Sequence, residues 1–262
     1  MGIGRWIIRQ RGSRKRHQGF FEKLLRMGAA GLGYGAPMIT LAPEEEAVRQ
    51  TVGNSLGPLT VFDVGANAGD YIALLQHTLP GRALVVHAFE PDPDLLAALE
   101  RRFSGQPGIT LMGAALSDHA GRATFHRHTH GQLSSLHAQV PGTFRETQGT
   151  HTFEVELRTL DEHCAAHGIP QIHLLKIDVE GHELFVLQGA RRMLAEGRID
   201  HIQFEFSDMN VASRTFFADF WQLLHPTHDL FRLCLDGLAP ITQYDPLVLE
   251  IFHPVNFMAI RR

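Results

Sequence analysis

From Leu59 onward, short and almost wholly apolar segments alternate with longer amphipathic ones, and this alternation admits few folds. The segments 59–64, 83–89, 109–115, 172–177 and 201–206 have strand length and carry apolar residues at successive positions. A strand that is apolar on both faces must be covered on both, as in a mostly parallel sheet between helical layers. The intervening segments 71–79, 94–103, 161–167, 183–194 and 215–224 read as helices. Pro80-Gly81 closes the first, Asp92 or Asp94 starts the second, and Gly168-Ile169-Pro170 stops the third. Segments 122–126 and 153–158 are more polar and read as added strands flanking a loop. Segments 231–235 and 257–260 are expected to form a late antiparallel pair. The expected fold class is α/β, a doubly wound, Rossmann-like sheet. It occupies residues 36–262 as one domain, a length that can bury a full core.

Residues 1–35 stand apart as a basic extension. Arg5, Arg9, Arg11, Arg14, Lys15, Arg16, Lys23 and Arg26 are interleaved with Trp6, Ile7, Ile8, Phe20, Phe21, Leu24 and Leu25. Two readings fit this pattern: a solvated extension ending in a docking helix, or an amphipathic contact of residues 1–27 with an anionic membrane face. Residues 44–50 read as a short helix leading into the domain. The formal net charge of −4 argues against nucleic acid as a partner of the whole chain. Two cysteines, Cys164 and Cys234, rule out a disulfide scaffold and suit a reducing compartment, so a cytoplasmic protein is expected. No apolar run reaches membrane-spanning length, and the basic start is not followed by a secretory apolar core.

In an open α/β sheet, ligands bind beyond the carboxyl ends of the strands, where the strand order reverses. The first strand ends in Asp63-Val64-Gly65-Ala66-Asn67-Ala68-Gly69. Glycines at 65 and 69 permit a tight turn, and the following helix aims its free N–H groups at the same place. The spacing G-x-N-x-G differs from the dinucleotide pattern G-x-G-x-x-G. Glu90 ends the second strand, where a carboxylate can accept both hydroxyls of a ribose and repels a 2′-phosphate. Together these features favour an adenosine ligand over NADP. Ala115 and Leu116, small and apolar at the end of the third strand, are placed to flank an adenine ring, whereas Asp118 is read as capping its own turn.

The fourth strand leads into Lys176-Ile177-Asp178-Val179-Glu180-Gly181-His182-Glu183. So many ionisable side chains at one turn shift one another's pKa values and can prepare a base. Asp178, Glu180 and His182 are the candidate catalytic residues, and Glu183 is read as a helix-capping acid. Glu205, at the end of the fifth strand, is a further candidate.

Taken together, these stretches resemble the FkbM family of S-adenosylmethionine-dependent methyltransferases. The resemblance rests on residues 61–69, Phe89-Glu90-Pro91, Ala115-Leu116-Ser117-Asp118, Thr159-Leu160-Asp161, residues 175–183 and Asn256-Phe257, and covers roughly residues 59 to 260. It implies a class I methyltransferase fold with S-adenosylmethionine as cofactor. It also implies O-methylation of a hydroxyl on a sugar, glycan, polyketide or similar small-molecule acceptor. By position, Asp63, Gly65, Asn67 and Gly69 would line the methionine end of the cofactor, Glu90 its ribose, and Ala115 and Leu116 its adenine. Asp178 and Glu180 would lie where cofactor and acceptor meet.

An alcohol acceptor loses a proton, so a base is required. His182 has a suitable intrinsic pKa, whereas a carboxylate would need its pKa raised by burial. A divalent metal on Asp178, Asp208 and Asn210 is an alternative activator that is not expected. His126, His128 and His130, with His137 nearby, read as a polar lid with Ser134 and Ser135 rather than a zinc face. Two rival readings remain: a nucleotide-dependent oxidoreductase on a similar sheet, and a cofactor-binding scaffold without catalysis.

Overall fold

The computed structural model describes residues 8, 12–36, 39–128, 134–138 and 150–262. Helix α1 spans Gln18–Gly31 and α2 spans Ala42–Thr51. The α/β core then runs β1 (Leu59–Val64), α3 (Asp70–Thr78), β2 (Leu84–Phe89), α4 (Pro93–Phe103) and β3 (Ile109–Met112). Next come β4 (Ala115–Leu116), β5 (Gly121–His128), β6 (Thr150–Arg158), α5 (Leu160–Ala166) and β7 (Ile172–Ile177). The chain continues through α6 (Glu183–Gln188), α7 (Arg191–Ala195), β8 (Ile199–Phe206), α8 (Met209–Ser213) and α9 (Phe217–Leu224). It closes with β9 (His228–Cys234), β10 (Gly237–Ile241), α10 (Pro246–Leu249) and β11 (Val255–Arg261).

Among the described residues the main sheet has eight strands in the order β10-β9-β11-β8-β7-β1-β2-β3. Strands β3, β2, β1, β7 and β8 are parallel, and β11, β9 and β10 are antiparallel additions. The chain moves outward from β1 to β3 and then returns to β7 on the other side of β1. The strand order therefore reverses between β1 and β7, which opens a crevice at their carboxyl ends.

Alternate residues of these strands feed two apolar layers. Phe62, Val64, Leu175 and Ile177 face one, with Phe204, Phe217, Phe220 and Phe257. Val61, Val86 and Leu174 face the other, with Ile72 and Leu75 of α3. Phe204 stacks on Phe220 with ring centroids 4.8 Å apart and lies 5.6 Å from Phe257, so its truncation to alanine would cost about 3–5 kcal/mol.

Three elements differ from the sequence expectation. The expected strand 109–115 divides, because main-sheet pairing ends at Met112 while Ala115-Leu116 pair with Leu157-Arg158 of β6. Strands β4, β6 and β5 make a separate three-stranded sheet over a small cluster of Ala115, Phe125, Val155 and Leu157. The expected helix 183–194 breaks at Gly189, whose Cβ position would lie 2.0 Å from the Ser117 carbonyl oxygen. Asp161 starts the second half, accepting hydrogen bonds from the N–H groups of Arg192 and Met193. The late pair gains a third strand, and β11 inserts between β8 and β9 with Val255 to Ala259 buried.

Candidate active site

Strand register sets the site. In the parallel β1–β7 pair, Asp63 is opposite Lys176 and Val64 opposite Ile177. The Asp178 N–H donates to the Val64 carbonyl, and the N–H groups of Gly65 and Ala66 donate to the Phe89 carbonyl. Three strand ends are thus tied into one rim. Only glycine fits at 65: its φ is +81°, and an added Cβ would lie 1.9 Å from the Asp178 carbonyl oxygen. Asn67 (φ +48°) and Glu180 (φ +54°) also hold left-handed conformations, which cost energy for residues with side chains and concentrate at functional sites.

At the floor of the crevice, Lys176 Nζ lies 3.3 Å from Asp63 Oδ1 and 3.6 Å from Asp178 Oδ2. Burial opposes the charge on Lys176, but the carboxylates of Asp63, Asp178 and Glu44 outweigh it and hold its pKa above the ordinary lysine value. Lys176 also donates to the Gly65 carbonyl at 3.3 Å and lies over the Tyr71 ring.

Glu90 is buried at the end of β2. One of its oxygens accepts the Asn67 N–H at 2.8 Å and the other the Asp92 N–H at 2.9 Å. Burial pushes its pKa up to about 7 against those bonds. Asp92 in turn caps α4 through the N–H groups of Asp94 and Leu95, and it is gripped by Arg127 of β5. Gly69 forms the N-cap of α3 with φ +82°. Leu116 packs into the main apolar cluster and Ala115 into that of the small sheet.

On the other side of the rim, Asp178, Glu180 and Glu205 each bring a carboxylate oxygen within 4.8 Å of the others. Among the described residues this is the one grouping of carboxylate, imidazole and thiol side chains with metal-ligand proximity. Of the metal set suggested by sequence, Asn210 makes two side-chain hydrogen bonds. Its Oδ1 accepts the Ser207 N–H, and its Nδ2 donates to Thr215 Oγ1. Glu183 is structural, but it staples the turn before α6 instead of capping the helix, accepting the N–H groups of Val179 and Gly181 at 3.0 and 3.1 Å. Its burial raises its pKa to about 7.

Both ring nitrogens of His182 are engaged. Nε2 lies 2.9 Å from Ser117 Oγ, and Nδ1 lies 2.9 Å from His137 Nε2. Ser117 donates to Asp118 Oδ1, so its oxygen accepts from His182 Nε2–H, and His182 Nδ1 is left to accept from His137. The His182 ring also stacks on Phe185 at 4.5 Å. Burial, with His137 beside it, pulls its pKa down to about 3. Of the expected histidine lid, His126 pairs with Ser135, and Ser135 Oγ donates to the Glu180 carbonyl at 2.7 Å. His128 is buried, and His130 lies outside the described residues.

Glu44 of α2 was not among the sequence candidates. It is 6% exposed, accepts a hydrogen bond from Asn256 Nδ2, and has its pKa raised to about 7 by burial. The available signal was its place on the helix face of Ala47 and Val48.

Residues 63–233 match the model of the methyltransferase FkbM domain. The chain belongs to the FkbM methyltransferase family. Among curated FkbM-type relatives, the 2-O-methyltransferase NoeI of Sinorhizobium fredii is 28% identical over 58% of this chain and 64% of its own length. The 31-O-demethyl-FK506 methyltransferase FkbM of Streptomyces tacrolimicus is 33% identical over 49% of this chain and 58% of its own. The hexuronic acid methyltransferase AglP of Haloferax volcanii is 28% identical over 59% of each. This chain therefore spans about three-fifths of the length of the curated relatives it matches. The crystal structure of methyltransferase FkbM from Methylobacillus flagellatus superposes with a TM-score of 0.50 at 19% identity. It covers 79% of this chain and 45% of its own, a likeness of fold. No helix among the described residues is long and apolar enough to cross a membrane.

Proposed function

We propose that this protein transfers a methyl group from S-adenosylmethionine to a hydroxyl of a sugar, glycan, polyketide or similar small metabolite. The observation that carries the proposal is the shared rim. The buried acid Glu90 and the Asp178–Glu180–Glu205 cluster stand at the ends of neighbouring strands, joined through the Gly65 turn. The named relatives act on a 2-O position, on a 31-O-demethyl compound and on a hexuronic acid, which supports a hydroxyl-bearing acceptor.

The residues present fit the cofactor. Each Glu90 oxygen accepts one backbone N–H and keeps acceptor capacity for one further donor, as two neighbouring ribose hydroxyls require. Asp63 is wholly buried, and among the described residues neither oxygen has a hydrogen-bond partner beyond its ion pair with Lys176. The carboxylates of Asp63, Glu44 and Asp178 outnumber the one lysine among them, an electrostatic setting that suits a cationic ligand. When bound, S-adenosylmethionine supplies a methyl group already activated on a positively charged sulfur.

The protein's remaining tasks are alignment and proton removal. Asp178 keeps 37% of its side chain exposed, so an acceptor can reach it. As the acceptor oxygen takes the methyl carbon and the methyl–sulfur bond breaks, leaving a neutral thioether, the acceptor hydroxyl would give its proton to the Asp178–Glu180–Glu205 cluster. His182 acts as a positioning residue: it is neutral, both nitrogens are bonded, and it ties the Ser117 strand end to the 134–138 segment. This departs from its expected part as a base.

Calorimetry with S-adenosylhomocysteine and with NAD tests the cofactor assignment. Binding of the former alone is expected. Glu90→Ala should weaken it by about 1–3 kcal/mol, the scale of hydrogen bonds to a charged group. Equal affinity in wild type and variant would remove Glu90 from the site.

A further inference from the structure

The charge of this chain is strongly polarised. Eight of its 24 Lys and Arg, and one of its 28 Asp and Glu, fall in residues 1–31, so that segment carries +7 and the remainder −11. The basic segment includes α1, and no residue of α1 is buried. Near its end, Ala29 packs against the main apolar cluster together with Leu32. Beyond that, Tyr34 is buried and donates its hydroxyl hydrogen to the Val248 carbonyl at 2.6 Å, and the Gly35 N–H donates to the Pro254 carbonyl. The helix is therefore held by its C-terminal end.

The described residues leave an apolar stripe of α1 uncovered. Phe20, Leu24 and Met27 recur at i, i+4 and i+7 and are 44, 45 and 70% exposed, and Leu25, 67% exposed, lies about 100° further round the helix. The one acid of the helix, Glu22, lies with Arg26 on the opposite side, Lys23 borders the stripe next to Met27, and Arg14, Lys15 and Arg16 stand exposed just before the helix. An exposed apolar stripe flanked by cations, on a body of opposite charge, is the pattern of a helix lying in a bilayer interface. The apolar side chains enter the acyl boundary while the lysines and arginines meet anionic headgroups, each worth about 1 kcal/mol.

We propose that α1 docks this protein on an anionic lipid surface, with Phe20, Leu24 and Met27 inserted and Arg14, Lys15, Arg16, Lys23 and Arg26 paired to headgroups. A second copy of the chain would also cover the stripe, but it would set like charges against one another. The anionic bilayer resolves both the apolar exposure and the charge. This inference is independent of the methyl-transfer reading, and its test uses binding alone.

The full-length chain is floated with vesicles of phosphatidylcholine and with vesicles enriched in phosphatidylglycerol. Co-flotation with the anionic vesicles only, weakened by salt, is expected. Replacing Lys23 and Arg26 together by alanine should lower the partition coefficient roughly 30-fold. Phe20→Ser with Leu24→Ser should abolish flotation while circular dichroism and S-adenosylhomocysteine binding stay unchanged, since these side chains lie outside the core. Three results would overturn the proposal: no flotation with anionic vesicles, equal flotation with neutral ones, or flotation indifferent to both double variants. A concentration-dependent dimer that Leu24→Ser dissociates, without vesicle binding, would assign the stripe to self-association instead.

Discussion

Lys176 and Asp63 face each other across neighbouring parallel strands with charged atoms 3.3 Å apart, and Asp63 is wholly buried. Removing one partner of a buried pair leaves an uncompensated charge, which is far costlier than losing a surface bridge. We predict that Lys176→Met destabilises the fold by about 3–5 kcal/mol in urea denaturation at neutral pH. The loss should shrink in acid, where Asp63 in the variant can take up a proton. A loss below about 1 kcal/mol at neutral pH would show a pair screened by solvent.

The acid that staples the fourth-strand turn gives a pH signature. Burial raises the Glu183 pKa to about 7, so between pH 4.5 and 7 the folded protein holds a proton that the unfolded chain has released. Such a group stabilises at low pH, and its contribution is lost as pH rises. In Glu183→Gln the amide oxygen can still accept the N–H groups of Val179 and Gly181, while the titration is gone. We predict that the variant gains stability relative to wild type by roughly 2–3 kcal/mol between pH 4.5 and 8. Denaturation curves at both pH values check this, and a pH-independent difference would contradict it.

Helix α1 hangs from the body by its end, so its loss and the loss of its attachment should differ. A chain starting at Gly28 keeps Tyr34 and should unfold within about 0.5 kcal/mol of the full-length protein. A chain starting at Met38 loses Tyr34, Ala29 and Leu32 from their packing and should be less stable by about 3 kcal/mol or more. Equal stability of the two would mean that Tyr34 contributes nothing to the core.

The strands that frame the crevice were legible because their apolar residues face both layers. Leu59–Val64 and Ile172–Ile177 run between the same residues in sequence reading and structure. Asp63, Gly65, Glu90 and Asp178 were legible for the same reason, since strand-end positions follow from strand positions. The break at Gly189 was not, because it answers to a carbonyl at Ser117 that is distant in sequence. Glu44 was missed because an acid on a helix face ordinarily reads as solvated, and only the packing of α2 against α3 and strands β9, β10 and β11 turns it inward. The state of His182 was hidden as well. Its composition suggests a titrating base, but its hydrogen bonds to Ser117 and His137 and its burial make it neutral.

Methyl transfer to a hydroxyl held at the carboxylate side of the rim is the central claim. Its most direct measurement pairs turnover with affinity in one variant, Asp178→Asn, which keeps the side-chain shape and removes the charge. Transfer of labelled methyl from S-adenosylmethionine is followed over a panel of sugar, uronic acid and polyketide hydroxyl acceptors, beside S-adenosylhomocysteine calorimetry on the same samples. The wild-type chain should label a hydroxyl. The variant should lose about 10²–10⁴ in rate, the usual contribution of a general base, while binding S-adenosylhomocysteine with near-normal affinity. Undiminished labelling by Asp178→Asn, or a parallel loss of binding and turnover, would contradict the account.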